Sequence, residues 1–196
     1  MTSNKKKIFD DTKKRFSSKT DSLGQPIDLG IVKTVAILNL LGFNTSQSCE
    51  GHKSWGNCYP WIDIKPEEDD EHIKARENLK ALTNDLIEPG AQDRNTQNEI
   101  SKKRLEAEKE YQKPVLELAK HITSLISKYY ESGETKTYED QLHVCFLGGS
   151  LRLQSHGCVC QPVLSELERY RKLEDYQSEM REFTEFLISY WESLEL

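Results

Sequence analysis

The sequence contains no long apolar run. No window approaches the roughly twenty residues that a membrane-spanning helix needs, and a mean hydropathy of -0.73 with 31% charged residues makes the chain polar throughout. Its start is basic with no apolar block behind it, so it predicts neither a membrane helix nor a secretory signal. Five cysteines, an odd count without framework-like spacing, argue against a disulfide scaffold and for reduced thiols in a cytoplasmic protein. No internal repeat is visible. An excess of positive charge is missing as well, since the formal net charge is -6.

That charge is unevenly spread. Residues 1–22 hold seven Lys/Arg against three Asp, net +4, which leaves -10 on the remainder. An acidic body repels a phosphate backbone, which argues against broad nucleic-acid binding. With only Ile8, Phe9 and Phe16 to bury, residues 1–22 read as a flexible basic arm. Residues 23–196 read as a single α+β domain, long enough to bury a core, with a helical excursion at about 91–133.

The first sure helix is expected over Asp28–Leu41, with Asp28 as N-cap and Gly42 as the C-terminal stop. Leu29, Ile31, Val32, Val35, Ala36, Ile37, Leu38, Leu40 and Leu41 cover most of its circumference, so it should be central. Strands are expected over 43–48 and 59–65. The acidic run after Pro66 should open a helix that stops at Pro89-Gly90. A further helix is highly charged up to Lys113, is kinked or restarted at Pro114, and then carries the stripe Val115, Leu118, Ile122, Leu125, Ile126 and Tyr129. Its charged part should project or meet a partner.

Residues 141–156 alternate as a hairpin about Gly148-Gly149. Leu142, Val144, Phe146, Leu151 and Leu153 face a core, and His143, Cys145, Arg152, Gln154 and His156 face the other way. A closing helix follows over about 163–194. The expected fold is α+β: a small, mainly antiparallel sheet of about four strands packed with helices, plus a long, partly projecting helix.

Chemistry concentrates in Gly42-Phe43-Asn44-Thr45-Ser46-Gln47-Ser48-Cys49-Glu50-Gly51-His52, which offers a thiol, a carboxylate, an imidazole and three hydroxyls around a glycine that permits a tight turn. Cys49 could act as a nucleophile, with Glu50 or His52 as acid or base. Ser48 and Gly51 would line the same wall beside Trp61 and Asp63, while Arg152, Gln154 and His156 would meet a ligand's negative group. If a metal is present, its donors would come from Cys49, His52, Cys58, Cys158 and Cys160, with zinc the matching ion. The bland alternative is a tight turn with a small buried cysteine.

The helix, this loop, and the following Pro60-Trp61-Ile62-Asp63-Ile64 together resemble a pattern in small bacterial and phage proteins that carry a Ser-Cys-Glu-Gly-His motif. More distantly, Thr45–His52 is similar to the Ser-Ser-Cys-Ser-Gly-Arg loop of the wybutosine-pathway tRNA methyltransferase family. That likeness implies S-adenosylmethionine and a modified guanosine in tRNA, and it carries over only Ser48, Cys49 and Gly51 as site-wall residues. His52 stands where that family has Arg, and Glu50 where it has Ser.

The residues thus support a pocket for a small anionic or nucleotide-like ligand, with or without turnover. A ligand-sequestering protein, a zinc-stabilised domain and a helical interaction module remain alternatives, the last extending to a homo-oligomer formed through the helices.

Overall fold

A computed structural model describes residues 3–20, 24–87, 94–132 and 136–195. In chain order the elements are α1 (Ser3–Ser17), α2 (Val32–Leu40), β1 (Asn44–Cys49), β2 (Trp61–Lys65), α3 (Asp70–Ile87), α4 (Arg94–Ser132), β3 (Leu142–Leu147), β4 (Ser150–Ser155) and α5 (Glu166–Ser193), with a 3-10 helix over His156–Val163. The fold is α+β, built on one four-stranded antiparallel sheet in the order β1-β2-β4-β3.

Register decides what each side of the sheet carries, because directly paired residues point the same way. Ser48, Ile62, Leu153 and Val144 form one row, and Thr45, Ile64, Leu151 and Phe146 the next. Ile62, Ile64, Leu151 and Leu153 from these rows are fully buried in a core with Ile37, Leu38, Ile122, Leu125, Phe183 and Leu187 from the helices. The opposite side carries Cys49 beside Trp61, then Gln47, Asp63, Arg152 and Cys145 in one row, then Gln154 beside His143.

α2 is central, as its all-round apolar surface predicts: Val32, Thr34, Val35, Ala36, Ile37 and Leu38 are all buried. It starts later than expected. Ile31 and Val32 donate their N–H groups to the Asp28 carbonyl through a turn, so the Asp28 side chain is not the helix cap. The first residues also depart from expectation. They form α1, whose Phe9 and Phe16, one i, i+7 pair, are buried in the common core. Lys5 reaches the far end of α5, where its ammonium donates to the carbonyls of Trp191 (3.0 Å), Glu192 (2.8 Å) and Leu194. A cation there answers the unpaired carbonyls and the negative end of the helix dipole.

α4 runs unbroken through Pro114. Beyond the proline, buried Val115, Ala119, Ile122, Leu125 and Ile126 anchor it to the core. Before it, the charged half pairs antiparallel with α3, as the stacking of His72 on Tyr111 indicates (ring centroids 4.9 Å). The partner that this half needed is therefore α3. The expected stop at Pro89-Gly90 lies outside the described residues. No helix among the described residues is long and apolar enough to cross a membrane.

Candidate functional site

The α2–β1 return sets the site. A helix with its lead-in turn advances at about 1.5 Å per residue, and a six-residue strand covers about 20 Å. An antiparallel return of similar lengths therefore brings the residue before the helix beside the residues after the strand. Asp28 meets Glu50 and His52 in this way. Its Oδ2 accepts the Glu50 N–H at 3.0 Å and lies 3.1 Å from His52 Nε2. In return, Glu50 Oε2 accepts the Gly30 N–H at 2.6 Å.

Gly51 makes the turn possible. Its φ of +84° is a left-handed conformation that side chains disfavour. A Cβ there would also lie 2.6 Å from Leu173 Cδ1 and 2.7 Å from the Tyr59 carbonyl carbon. α5 braces the loop from the other side, where the Gln177 amide donates to the carbonyls of Glu50 (2.9 Å) and Gly51 (3.3 Å). The His52 N–H closes the following loop on the Asn57 carbonyl at 2.8 Å, and exposed Trp55 stacks on the imidazole at 3.6 Å between centroids.

Asp28, Cys49 and His52 each offer one donor atom, and the three atoms lie within 4.8 Å of one another. Among the described residues this is the one such group of three or more His, Cys, Asp and Glu. The Cys49 thiol is buried and accepts the Gly51 N–H at 3.4 Å. Burial raises its pKa, the Gly51 N–H pulls it down, and the charges of Asp28 and Glu50 push it up again. The net rise keeps it a thiol rather than a free thiolate.

The residues singled out from the sequence divide. Cys49 and His52 come together with Asp28, whereas the Glu50 carboxylate is engaged by Gly30. Ser48 shares its row with Ile62 on the core side, so it is not on the wall that Cys49 occupies. Arg152 holds Asp63 with Nε and Nη2 at 2.7 and 2.9 Å and lies 3.9 Å over the Trp61 ring. Its guanidinium is spent on the fold and is not offered to a ligand. Gln154 is buried beside His143, and His156 stacks on His143 (4.1 Å) and Tyr138 (4.3 Å) at the β3 edge.

The wider metal set is dispersed too. Cys58 donates to the Arg169 carbonyl, Cys158 is a buried thiol pushed up to about 12 by burial, and Cys160 is exposed. Asp28 was missed because an aspartate ahead of an apolar helix reads first as a cap. The return of β1 along α2 was the available signal.

A cavity of about 180 Å³ adjoins the loop, lined by Gly30, Ile31, Glu50, Pro60, Gln177, Met180 and Arg181. A larger hollow of about 590 Å³ opens between α3 and α4, where two lysines, Lys103 and Lys109, and two glutamates, Glu106 and Glu110, balance in charge. Size favours the second and chemistry the first, and chemistry decides between them, since specific binding needs polar groups aimed at one place. No protein-family model matches the chain, and neither curated proteins nor solved structures give a match.

Proposed function

We propose that the chain binds a small molecule with an anionic group, or the anionic end of a larger nucleotide-like one, in the cavity between the Cys49–His52 loop and α5. The observation that carries this reading is Arg181. It lines the cavity and forms no ion pair among the described residues, in contrast to Arg152. A guanidinium of that kind suits a carboxylate or phosphate. Ile31, Pro60 and Met180 supply apolar wall, and Glu50 at the other side suits a hydrogen-bond donor on the same ligand. At about 180 Å³ the cavity has room for a phosphate, a short carboxylate or one end of a mononucleotide. Binding without turnover is favoured, because the raised pKa of the buried Cys49 thiol leaves no ready nucleophile at the loop.

Calorimetric titration of the full chain with inorganic phosphate, adenosine monophosphate and glycine tests this reading. At least one probe should bind. Arg181→Ala should weaken that binding by about tenfold or more, the equivalent of one charge-assisted hydrogen bond. Arg171→Ala, an arginine on the same helix that does not line the cavity, should leave it unchanged. Absence of binding by all three probes, or equal binding by Arg181→Ala, overturns the reading.

A further inference from the structure

We infer that Asp28, Cys49 and His52 form a site for a zinc-class transition-metal ion, with three protein donors and a coordination position left over for water or a ligand. The inference goes beyond the anion cavity and rests on a different observation, the convergence of a carboxylate, a thiol and an imidazole from two segments more than twenty residues apart in sequence.

Spacing comes first. Zinc binds oxygen and nitrogen at about 2.0–2.2 Å and sulfur at about 2.3 Å, so neighbouring donors around a tetrahedral ion lie about 3.2–3.7 Å apart. The 3.1 Å between Asp28 Oδ2 and His52 Nε2 is close to that separation. The thiol completes a trio whose largest spacing, 4.8 Å at most, a small rotamer adjustment would close around an ion.

Two backbone donors face the cluster. The Glu50 N–H points at the Asp28 carboxylate, and the Gly51 N–H points at the Cys49 sulfur. Backbone donors of this kind orient metal-bound oxygen and sulfur and stabilise their charge. Among the described residues Asp28 has no lysine or arginine partner, and its one ion-pair contact is the His52 imidazole. A cation is therefore the complement that the cluster lacks. Trp55 lies against one face of the imidazole, and Gly51 and Gln177 hold the loop that presents both Cys49 and His52. Three protein ligands with an open position distinguish such a site from a closed, four-ligand structural zinc.

The test uses the full chain, stripped with a chelator and titrated with cobalt(II) and then with zinc(II) against a competing chromophore. The expected result is one ion per chain, with a thiolate-to-cobalt charge-transfer absorption that disappears in Cys49→Ser and persists in Cys58→Ser and Cys160→Ser. Asp28→Asn and His52→Gln should each lower zinc affinity by about tenfold or more. Asp28→Asn preserves shape and a hydrogen-bonding side chain, so with a circular dichroism check it keeps the test valid if Cys49→Ser fails to fold. Arg181→Ala should take up metal normally, so failure of the anion cavity and failure of the metal site are separately visible. No stoichiometric uptake, or a cobalt spectrum unchanged by Cys49→Ser, overturns the inference.

Discussion

Asp28 and Asp63 differ in what answers them. Asp63 is buried, and Arg152 forks onto both of its oxygens while stacking on Trp61. That cluster is electrically complete: the pair raises the Arg152 pKa further above its already high range, and nothing is left to recruit. Asp28 instead faces an imidazole, a thiol and a backbone N–H. The Asp63 pair serves the fold, whereas Asp28 has no lysine or arginine partner among the described residues. Both clusters contain a carboxylate and lie near one aromatic ring, so residue type alone does not separate them. The difference lies in the third partner.

The most forceful way to break the comparison is Gly51→Ala. The substitution imposes a left-handed alanine and drives its Cβ into Leu173 and the Tyr59 backbone at once. Backbone strain and overpacking together should cost about 3 kcal/mol or more, read as a fall in the urea midpoint. Metal uptake should be lost with it, because Cys49 and His52 flank the displaced residue. Normal stability in this variant would mean that the loop does not hold its position through the glycine.

Asp63→Ala sharpens the contrast from the other side. It leaves Arg152 half-buried and unpaired, which should cost about 2–3 kcal/mol, somewhat less than for a fully buried pair because the guanidinium remains 22% exposed. Zinc affinity at 25 °C should be unchanged while the protein is folded. A drop in zinc affinity equal to that of Asp28→Asn would show that the two clusters are coupled, and the distinction between them would fail.

These two clusters also show how much the sequence discloses. The late hairpin was legible because Leu142 to Leu153 alternate on a period of two about a glycine pair, as a buried sheet face demands, although Phe146 near the turn is 53% exposed and not in the core. α2 was legible for the opposite reason, since its apolar residues cover most of its circumference. The basic character of residues 1–22 concealed α1, whose burial depends on two phenylalanines and on Lys5 reaching α5, across a sequence separation that local patterns do not encode. The 3-10 helix over His156–Val163 was hidden by its cysteines, which drew attention as possible ligands. In the candidate site, Cys49 and His52 stood out by density of reactive types, but Arg152 was given a ligand because nothing local shows that Asp63 pairs with it across β2 and β4. Pairing across a sheet is a tertiary fact, and it decided the role of the residue.

The smallest effect expected comes from the far edge of the same sheet face, where His143 and His156 stack at 4.1 Å with Tyr138 beyond. Burial lowers the pKa of both below the ordinary 6.5, and the charge of His156 lowers that of His143 further. Each folded imidazole therefore holds fewer protons than its unfolded counterpart between its lowered pKa and 6.5. The contribution to stability is complete above 6.5 and is lost as pH falls through the lowered values, where two stacked cations would have to form. Both rings are partly exposed, so the loss should stay under about 1 kcal/mol each. Denaturant midpoints compared between about pH 7.5 and about pH 5 read it above the range of Asp140, which burial pushes up but hydrogen bonds to Thr137 and Lys172 hold low on balance, and of Glu182, held low by Lys136. His143→Phe keeps the stack and removes one titrating group, so it should flatten that slope. The His52→Gln variant makes the sharper comparison: if it flattened the slope as much as His143→Phe, the pH response would belong to the Asp28 cluster and not to the histidine pair at the β3 edge.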